Sequence, residues 1–243
     1  MAELPEVEIL AADMRELVVG RRILGAAVWQ PAAVRFPAPE LFVEQLIERR
    51  ILGAQRRAKY LLCPLEGDQL LTFHMMLHGT LDLVPADTAP DPITMLTLAL
   101  EGAEDLQLRD RKGFARVALG EPVDLTKRLK IDTLGPELLD PAFTPAALQA
   151  ILARRRGVLK PILVNQQIVA GLGNRDVDES LWEAQINPHR AANSLEPAEI
   201  ERLLAQARDV LHEGLALRGT MTDLRGVRGK ARQRRKIYGH DGE

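Results

Sequence analysis

The second and third residues of the chain carry groups that could do covalent chemistry together. Met1 precedes the small residue Ala2, and removal of Met1 would leave a primary amine on Ala2. Such an amine titrates at roughly pH 8 and is partly uncharged at neutral pH, so it is a nucleophile. Glu3 could transfer protons beside it, although an acidic residue here is by itself more typical of a helix start.

The residues that follow predict the element that positions this pair. Pro5 suits the first turn of a helix, and Val7, Leu10 and Met14 recur at helical spacing and stop before Gly20. We therefore expect a helix to begin directly after the reactive end.

The remainder of the chain predicts an α+β fold in two parts. Short apolar runs separated by Gly, Pro and Asp predict strands and favour a β-sandwich or barrel flanked by helices over residues 1–120. The expected strands are 23–29, 59–65, 69–75, 80–84, 94–100 and 114–119, with one helix at 39–50. The proline-containing segment 121–141 is expected to be a linker, and helical periodicity predicts an all-α domain over 142–243.

Composition limits the classes of protein. The single cysteine, Cys63, excludes a disulfide framework and a four-cysteine zinc site, and its apolar surroundings predict a buried, inert thiol. No apolar run reaches the about 18 residues of a membrane span, so we expect a cytoplasmic protein. The net charge of −2 hides residues 225–236, which hold seven basic residues and no acidic one. This density of positive charge indicates a segment that neutralises phosphates, and the alternative is a solvated tail.

Several segments together resemble one family, that of formamidopyrimidine-DNA glycosylase and endonuclease VIII. The resemblance covers the chain from Glu3 to about Tyr238. It is carried by residues 3–8, 56–61, 134–137, 159–163, 169–174, 178–181 and 186–188. The run 159–188 is similar to the helix-two-turns-helix DNA-binding element of that family.

The resemblance implies a fold, a partner and an activity. The fold is an N-terminal β-sandwich flanked by helices, followed by an all-α helix-two-turns-helix domain. The implied protein is a monomer that binds double-stranded DNA with a lesion or abasic site. We expect it to use no cofactor and no metal, the latter because its single cysteine excludes a four-cysteine zinc site. It would act as a DNA glycosylase and abasic-site lyase. The Ala2 amine would form a Schiff base, Glu3 would transfer protons, and Lys59 would contact the phosphate beside the lesion.

The resemblance also implies which residues contact DNA. Gly171, Gly173 and Asn174 would meet a phosphate at a helix start, and Lys160 would add a charge. Leu77, Lys112 and Phe114 would wedge into the gap that an everted nucleotide leaves. Arg232, in the basic segment, is the remaining candidate.

Departures from the family pattern predict weaker chemistry. Ala2 stands where proline is usual, Lys112 where an arginine reads the unpaired base, and Arg175-Asp176 where an apolar residue and a tyrosine are usual. We expect Asp176 to place negative charge near the phosphate site. Family members commonly continue past a Tyr-Gly dipeptide into a zinc-bound finger, and residues 238–243 are too few for one.

Two alternatives to a weakened lyase stay open. One is a DNA-binding relative without catalytic activity, and the other is an interaction module whose basic segment binds RNA or an acidic partner. His74 and His78 could be mistaken for metal ligands, but no third ligand is placed by the sequence, so we expect structural or surface roles.

Overall fold

The computed structural model describes residues 2–237. The expected removal of Met1 and the expected end of the chain at 238–243 lie outside these residues. The α-helices are α1 (Leu4–Leu17), α2 (Pro39–Leu46), α3 (Pro122–Arg128), α4 (Pro145–Ala153), α5 (Leu159–Val164), α6 (Asn174–Glu183) and α7 (Pro197–Ala216). The strands are β1 (Ile23–Val28), β2 (Val34–Phe36), β3 (Gln55–Arg57), β4 (Tyr60–Leu65), β5 (Gln69–His74), β6 (Thr80–Pro85), β7 (Thr94–Leu100), β8 (Glu104–Arg109) and β9 (Arg116–Gly120).

The chain forms two units. The first unit contains Ala2, Glu6–Asp132 and Met221–Gly229, and the second contains Glu3–Pro5, Thr133–Thr220 and the described residues from Lys230 onward. Residues near both ends of the chain therefore belong to the second unit.

The first unit is a sandwich of two sheets. One sheet has the strand order β1-β7-β8-β6 and the other β2-β9-β5-β4-β3. Strand β7 shows why the two sheets pack together. Every second side chain of a strand lies on the same face of the sheet, and Leu96, Leu98 and Leu100 occupy such positions and are buried. They share one core cluster with Leu61 and Phe73 of the other sheet. The predicted α+β class with an N-terminal sandwich is confirmed.

The second unit is helical. Helices α4, α5, α6 and α7 enclose a core that includes Leu148, Leu163, Leu181 and Leu204. Helix α7 begins with a capping box, in which Glu196 and Glu199 each bond the main chain of the other.

The structure differs from the sequence-based expectation in five elements. Strands β2, β3 and β8 lie where no strand was expected, and α2 ends at Leu46, before the expected residue 50. Segment 121–141 contains helix α3. Within this segment the first unit ends at Asp132 and the second unit continues from Thr133. The domain limits 1–120 and 142–243 stay predictions. Within the described residues, no helix combines the length and apolarity that crossing a membrane requires.

Candidate active site and nucleic-acid interface

Glu3 lies at the start of helix α6. Its two carboxylate oxygens accept hydrogen bonds from the main-chain N–H groups of Arg175, at 3.1 Å, and Asp176, at 3.0 Å. The first N–H groups of a helix have no partner within the helix, and they carry the positive end of its dipole. Glu3 is 0% exposed. The sequence placed Glu3 at the start of α1, but its carboxylate caps α6, which begins 171 residues further along the chain.

Gly173 leaves the space that the Glu3 carboxylate occupies. A Cβ atom at position 173 would lie 2.1 Å from Cδ of Glu3, which is impossible without movement. Gly171 has a φ of +99°, and a Cβ there would lie 2.5 Å from Cδ1 of Leu4. Both glycines are therefore required by the residues that follow Ala2.

The main-chain N–H of Gly171 does not point to a vacant site. It donates to Oε1 of Gln166 at 3.0 Å. This amide is therefore already bonded, and a contact of Gly171 with a phosphate stays a prediction. Asn174 follows as the first residue of α6, and its side chain is exposed.

Asp176 and Arg175 form a buried ionic cluster in the second unit. Oδ1 of Asp176 accepts from Nη2 of Arg235 at 2.9 Å and from Nε of Arg175 at 3.2 Å. Nη1 of Arg175 donates to the hydroxyl of Thr220 at 2.7 Å. Asp176 is 0% exposed, so the expectation that it presents negative charge to a phosphate is wrong.

Burial raises the pKa of Asp176 to about 8, and the negative charge of Glu3 acts in the same direction. The guanidinium groups of Arg175 and Arg235 oppose this shift. Desolvation and the neighbouring carboxylate therefore outweigh two positive charges.

Ala2, the predicted nucleophile, belongs to the first unit. Its side chain is 3% exposed and is part of the core cluster of that unit. It precedes Glu3 directly in the chain, so the position of one restricts the position of the other.

Lys160, at the start of α5, is paired. Its Nζ lies 2.7 Å from Oδ1 and 2.9 Å from Oδ2 of Asp178 on α6. Both side chains are about one-third exposed, so a phosphate could approach, but part of the charge of Lys160 is already balanced.

Lys59 lies in the turn between β3 and β4, with Ala58 at a φ of +50°, and not on a strand as expected. Tyr60 and His74 pack edge to face beside it, with ring centroids 4.7 Å apart. Nδ1 of His74 accepts from the main-chain N–H of Met76 at 3.1 Å. Burial, with the positive charge of Lys59 as a second cause, lowers the pKa of His74 to about 4. His74 is thus a neutral acceptor at neutral pH.

The two predicted wedge loops meet in the first unit. Gly79 closes the first loop, and a Cβ there would lie 2.7 Å from Cβ of Ala115 in the second. Leu77 is 38% exposed and Phe114 is 44% exposed. These loops therefore present neighbouring apolar side chains to solvent, as a wedge requires.

Buried Asp110 shapes the second wedge loop. Its carboxylate accepts from the main-chain N–H groups of Lys112 at 2.7 Å, Phe114 at 2.9 Å and Ala115 at 2.8 Å. Asp110 was not among the site residues predicted from the sequence. Its role does have a sequence signal, because the side chain of an aspartate ahead of a glycine-containing turn commonly bonds the main chain that follows.

A cavity of about 390 Å³ in the first unit is lined by four cationic side chains. They are Arg35, Arg116, Arg128 and Lys130. Tyr60 and His74 also line it, and no acidic side chain of the described residues does. The guanidinium of Arg128 stacks on Phe36 at 4.5 Å. Sequence reasoning missed this set, which suits an anion such as a phosphate.

The basic segment 225–236 is largely paired, contrary to the expectation of a strip free to neutralise phosphates. Arg225 bonds Glu16 in the first unit. In the second unit, Arg234 lies 3.7 Å from Glu213, Arg235 bonds Asp176, and Lys236 lies 2.7 Å from Glu183. Arg232 is exposed in the short 3-10 helix Ala231–Arg234.

No cluster of three potential metal ligands occurs within residues 2–237. The one cysteine of the sequence, Cys63, is buried, and burial raises the pKa of its thiol to about 12. The predicted burial of Cys63 is confirmed, and the side chains for a four-cysteine zinc site do not exist in this chain.

Comparison with known families agrees with this arrangement. Residues 1–117 match the formamidopyrimidine-DNA glycosylase N-terminal domain, and residues 134–225 match the formamidopyrimidine-DNA glycosylase H2TH domain. The chain belongs to the formamidopyrimidine-DNA glycosylase and endonuclease VIII family, as its motifs predicted.

Named relatives and solved structures extend the match over the whole chain. The formamidopyrimidine-DNA glycosylase of Moorella thermoacetica is 37% identical over 246 residues, covering 100% of this chain and 90% of the relative. That of Herpetosiphon aurantiacus is 36% identical over 249 residues, with the same coverage. Lactococcus lactis Fpg, solved with DNA containing an abasic site, has a TM-score of 0.92 and 29% identity, covering 99% of this chain and 89% of that one.

Proposed function

We propose that this protein binds double-stranded DNA containing a damaged base or an abasic site and cleaves it slowly as a DNA glycosylase and abasic-site lyase. The Ala2 amine, after removal of Met1, attacks C1′ of the damaged nucleotide and forms a Schiff base. Glu3 transfers the protons of this reaction. The observation that carries the proposal concerns Glu3, the residue after the nucleophile. Its carboxylate is held by the main-chain N–H groups of Arg175 and Asp176.

The reaction is expected to be slow because the nucleophile is a primary amine. An uncharged primary amine is a weaker nucleophile than the secondary amine of proline, and its Schiff base carries a positive charge only when it is protonated. The family resemblance places proline at this position, and Ala2 changes both the basicity and the freedom of the nucleophile.

The first unit offers the surface for the DNA backbone. The cationic cavity suits phosphate oxygens, and Lys59 adds charge beside His74. Leu77 and Phe114, exposed on adjoining loops, would fill the space of an everted nucleotide. In the second unit, Asn174 and Lys160 would add contacts at the start of α6. The relatives solved with abasic-site DNA support the same class of partner.

Borohydride trapping tests the covalent step. The protein, shown by intact mass to lack Met1, is mixed with a duplex that carries one abasic site, and borohydride reduces any imine to a stable adduct. We expect an adduct whose peptide map places the bond at Ala2. Glu3→Gln should reduce the rate of adduct formation by at least about tenfold.

The matched control is Glu16→Gln on α1, the helix that follows Glu3, because the Glu16 side chain is 64% exposed. It should trap like the wild type. A protein without Met1 that binds the abasic duplex but forms no adduct would exclude the lyase reaction.

A second candidate is a DNA-binding protein without catalytic activity. One observation favours it: the side chain of Ala2, the predicted nucleophile, is 3% exposed and belongs to the core cluster of the first unit, a structural role that a non-catalytic protein would retain. Ala2→Pro separates the two candidates. A gain in strand cleavage supports a slowed enzyme, whereas unchanged binding with no cleavage in either protein supports the second candidate.

A further inference from the structure

The second unit buries more acidic than basic groups. Five charged side chains of its described residues are at least nine-tenths buried. They are the acids Glu3, Asp176 and Glu179 and the bases Arg175 and Arg235. If all five were ionised, the three acids and two bases would leave one negative charge, and an unbalanced buried charge is costly.

The hydrogen bonds identify which acid is least suited to be ionised. Glu179 accepts from the main-chain N–H groups of Lys236 at 2.9 Å and Ile237 at 3.0 Å. Glu3 accepts from two main-chain N–H groups at the start of α6. Asp176 uses Oδ1 for both arginines, while its buried Oδ2 receives no hydrogen bond from the part of the chain that the structure describes. A proton on Oδ2 removes both the excess charge and the missing donor.

The charged groups that act on Asp176 come from three places in the fold. Glu3 precedes α1, and Arg175 is next to Asp176 on α6. Arg235 follows the 3-10 helix Ala231–Arg234. The pKa of Asp176 is raised to about 8 by burial first and by Glu3 second. This direction agrees with the geometry and with the charge balance.

We propose that Asp176 is protonated in the folded protein and shares its proton with Glu3, which makes Asp176 a positioning residue for the proton transfer assigned to Glu3. The protonation stands on the unpaired, buried Oδ2 of Asp176 and on the excess of buried acids, whereas its catalytic use rests on the proposed function. A single glutamate is ionised at neutral pH, but a pair that shares one proton retains a proton to donate.

The proton transfer balances as follows. The Ala2 nitrogen bonds C1′ as the bond from C1′ to the damaged base, or to the hydroxyl group of an abasic site, breaks, and the departing group takes the proton that the nitrogen must lose. The lone pair of the nitrogen then forms the C=N bond as the C1′–O4′ bond breaks. O4′ keeps that electron pair and takes the one proton that the pair holds, which moves from Asp176 to Glu3 and from Glu3 to O4′. Both carboxylates are then ionised beside Arg175 and Arg235, and water returns a proton to the pair.

Carboxyl titration by ¹³C NMR tests the protonation without any assay of activity. We expect one aspartate carboxyl carbon of the wild-type protein to titrate at about pH 8. This signal should be lost in Asp176→Asn and kept in Asp209→Asn, which changes an exposed aspartate on α7. A wild-type protein whose carboxyl groups all titrate below about pH 6 would overturn the proposal, even if Asp176→Asn does not fold.

The pH profile of abasic-site cleavage tests the catalytic use. Asp176→Asn is expected to cleave about tenfold more slowly at neutral pH and to lose activity on the alkaline side at least about one pH unit earlier than the wild type. An unchanged profile in folded Asp176→Asn overturns the positioning role. If no Schiff base can be trapped while the titration at about pH 8 is present, the proposed function fails and the shared proton stands.

Discussion

The carboxylate of Glu3 occupies the space that any side chain at Gly173 would need, because a Cβ there would lie 2.1 Å from Cδ of Glu3 and 2.2 Å from Oε1. These residues are 170 positions apart in sequence. Their contact joins the residue after the predicted nucleophile to the turn that begins α6.

Gly173→Ala is expected to displace Glu3. The added methyl group must move either the carboxylate or the turn, and an overpacked core costs about 1–3 kcal/mol. We expect the free energy of unfolding to fall by that amount and Schiff-base trapping to fall at least about tenfold. Chemical denaturation and the trapping assay measure the two effects.

Gly157→Ala is the control for this substitution. It lies in the same unit, and its Cβ would make an ordinary contact of 3.5 Å with Ile162. Equal stability and trapping in Gly173→Ala and wild type would contradict the placement of Glu3.

Asp110→Ala is expected to disorganise the second wedge loop. The change removes the acceptor of three main-chain N–H groups between Lys112 and Ala115, and lost buried hydrogen bonds cost about 1–3 kcal/mol. Stability and affinity for an abasic duplex should therefore both fall, as measured by denaturation and fluorescence anisotropy.

Phe114→Ala provides the comparison, because the side chain of Phe114 is 44% exposed. Its affinity for the abasic duplex should fall while its stability stays within about 0.5 kcal/mol of the wild type. If Phe114→Ala binds abasic and intact duplex as the wild type does, this loop is not a wedge.

Lys130→Ala tests the cationic cavity as a phosphate site. Each phosphate contact adds about one to the slope of log affinity against log salt concentration. We expect weaker binding to every duplex sequence and a slope smaller by about one. Lys127→Ala is the matched control, because Lys127 is an exposed residue of α3 that does not line the cavity. Equal salt slopes in the two variants would count against the cavity.

Sequence alone predicted the elements whose signals are local. Helix α1 followed from Pro5 and its apolar spacing, and most strands of the sandwich followed from short apolar runs. Strand β8 was missed because Glu104 and Asp105 are more typical of a turn. In the fold, the buried Asp105 accepts from the main-chain N–H of Asp87 at 3.2 Å, so its burial is compensated.

The residues that line the site were harder to predict from sequence, because they come together through contacts between segments that are far apart in the chain. Arg35 lies on β2 and Arg116 on β9, and only the parallel pairing of these strands brings the two arginines to one cavity. Asp176 was expected to lie near a phosphate because Asn174, two residues earlier, is a predicted phosphate contact. The arginine that covers it, Arg235, comes from 59 residues away and could not be assigned from spacing.

The stability of the first unit should depend on pH through His74. Its pKa is about 4 in the folded protein against 6.5 as a reference for the unfolded chain. Between these values the unfolded chain binds a proton that the folded protein does not, so the stability of the folded state rises as pH increases from about 4 to 6.5 and is then constant. The full contribution is about 3 kcal/mol, from about 1.4 kcal/mol per pH unit.

In His74→Gln this rise of stability with pH should be lost, while His212→Gln, which changes an exposed residue on α7, should retain it. Calorimetry of the three proteins across this pH range measures the difference, and parallel pH profiles for His74→Gln and the wild type would show that His74 is protonated equally in both states.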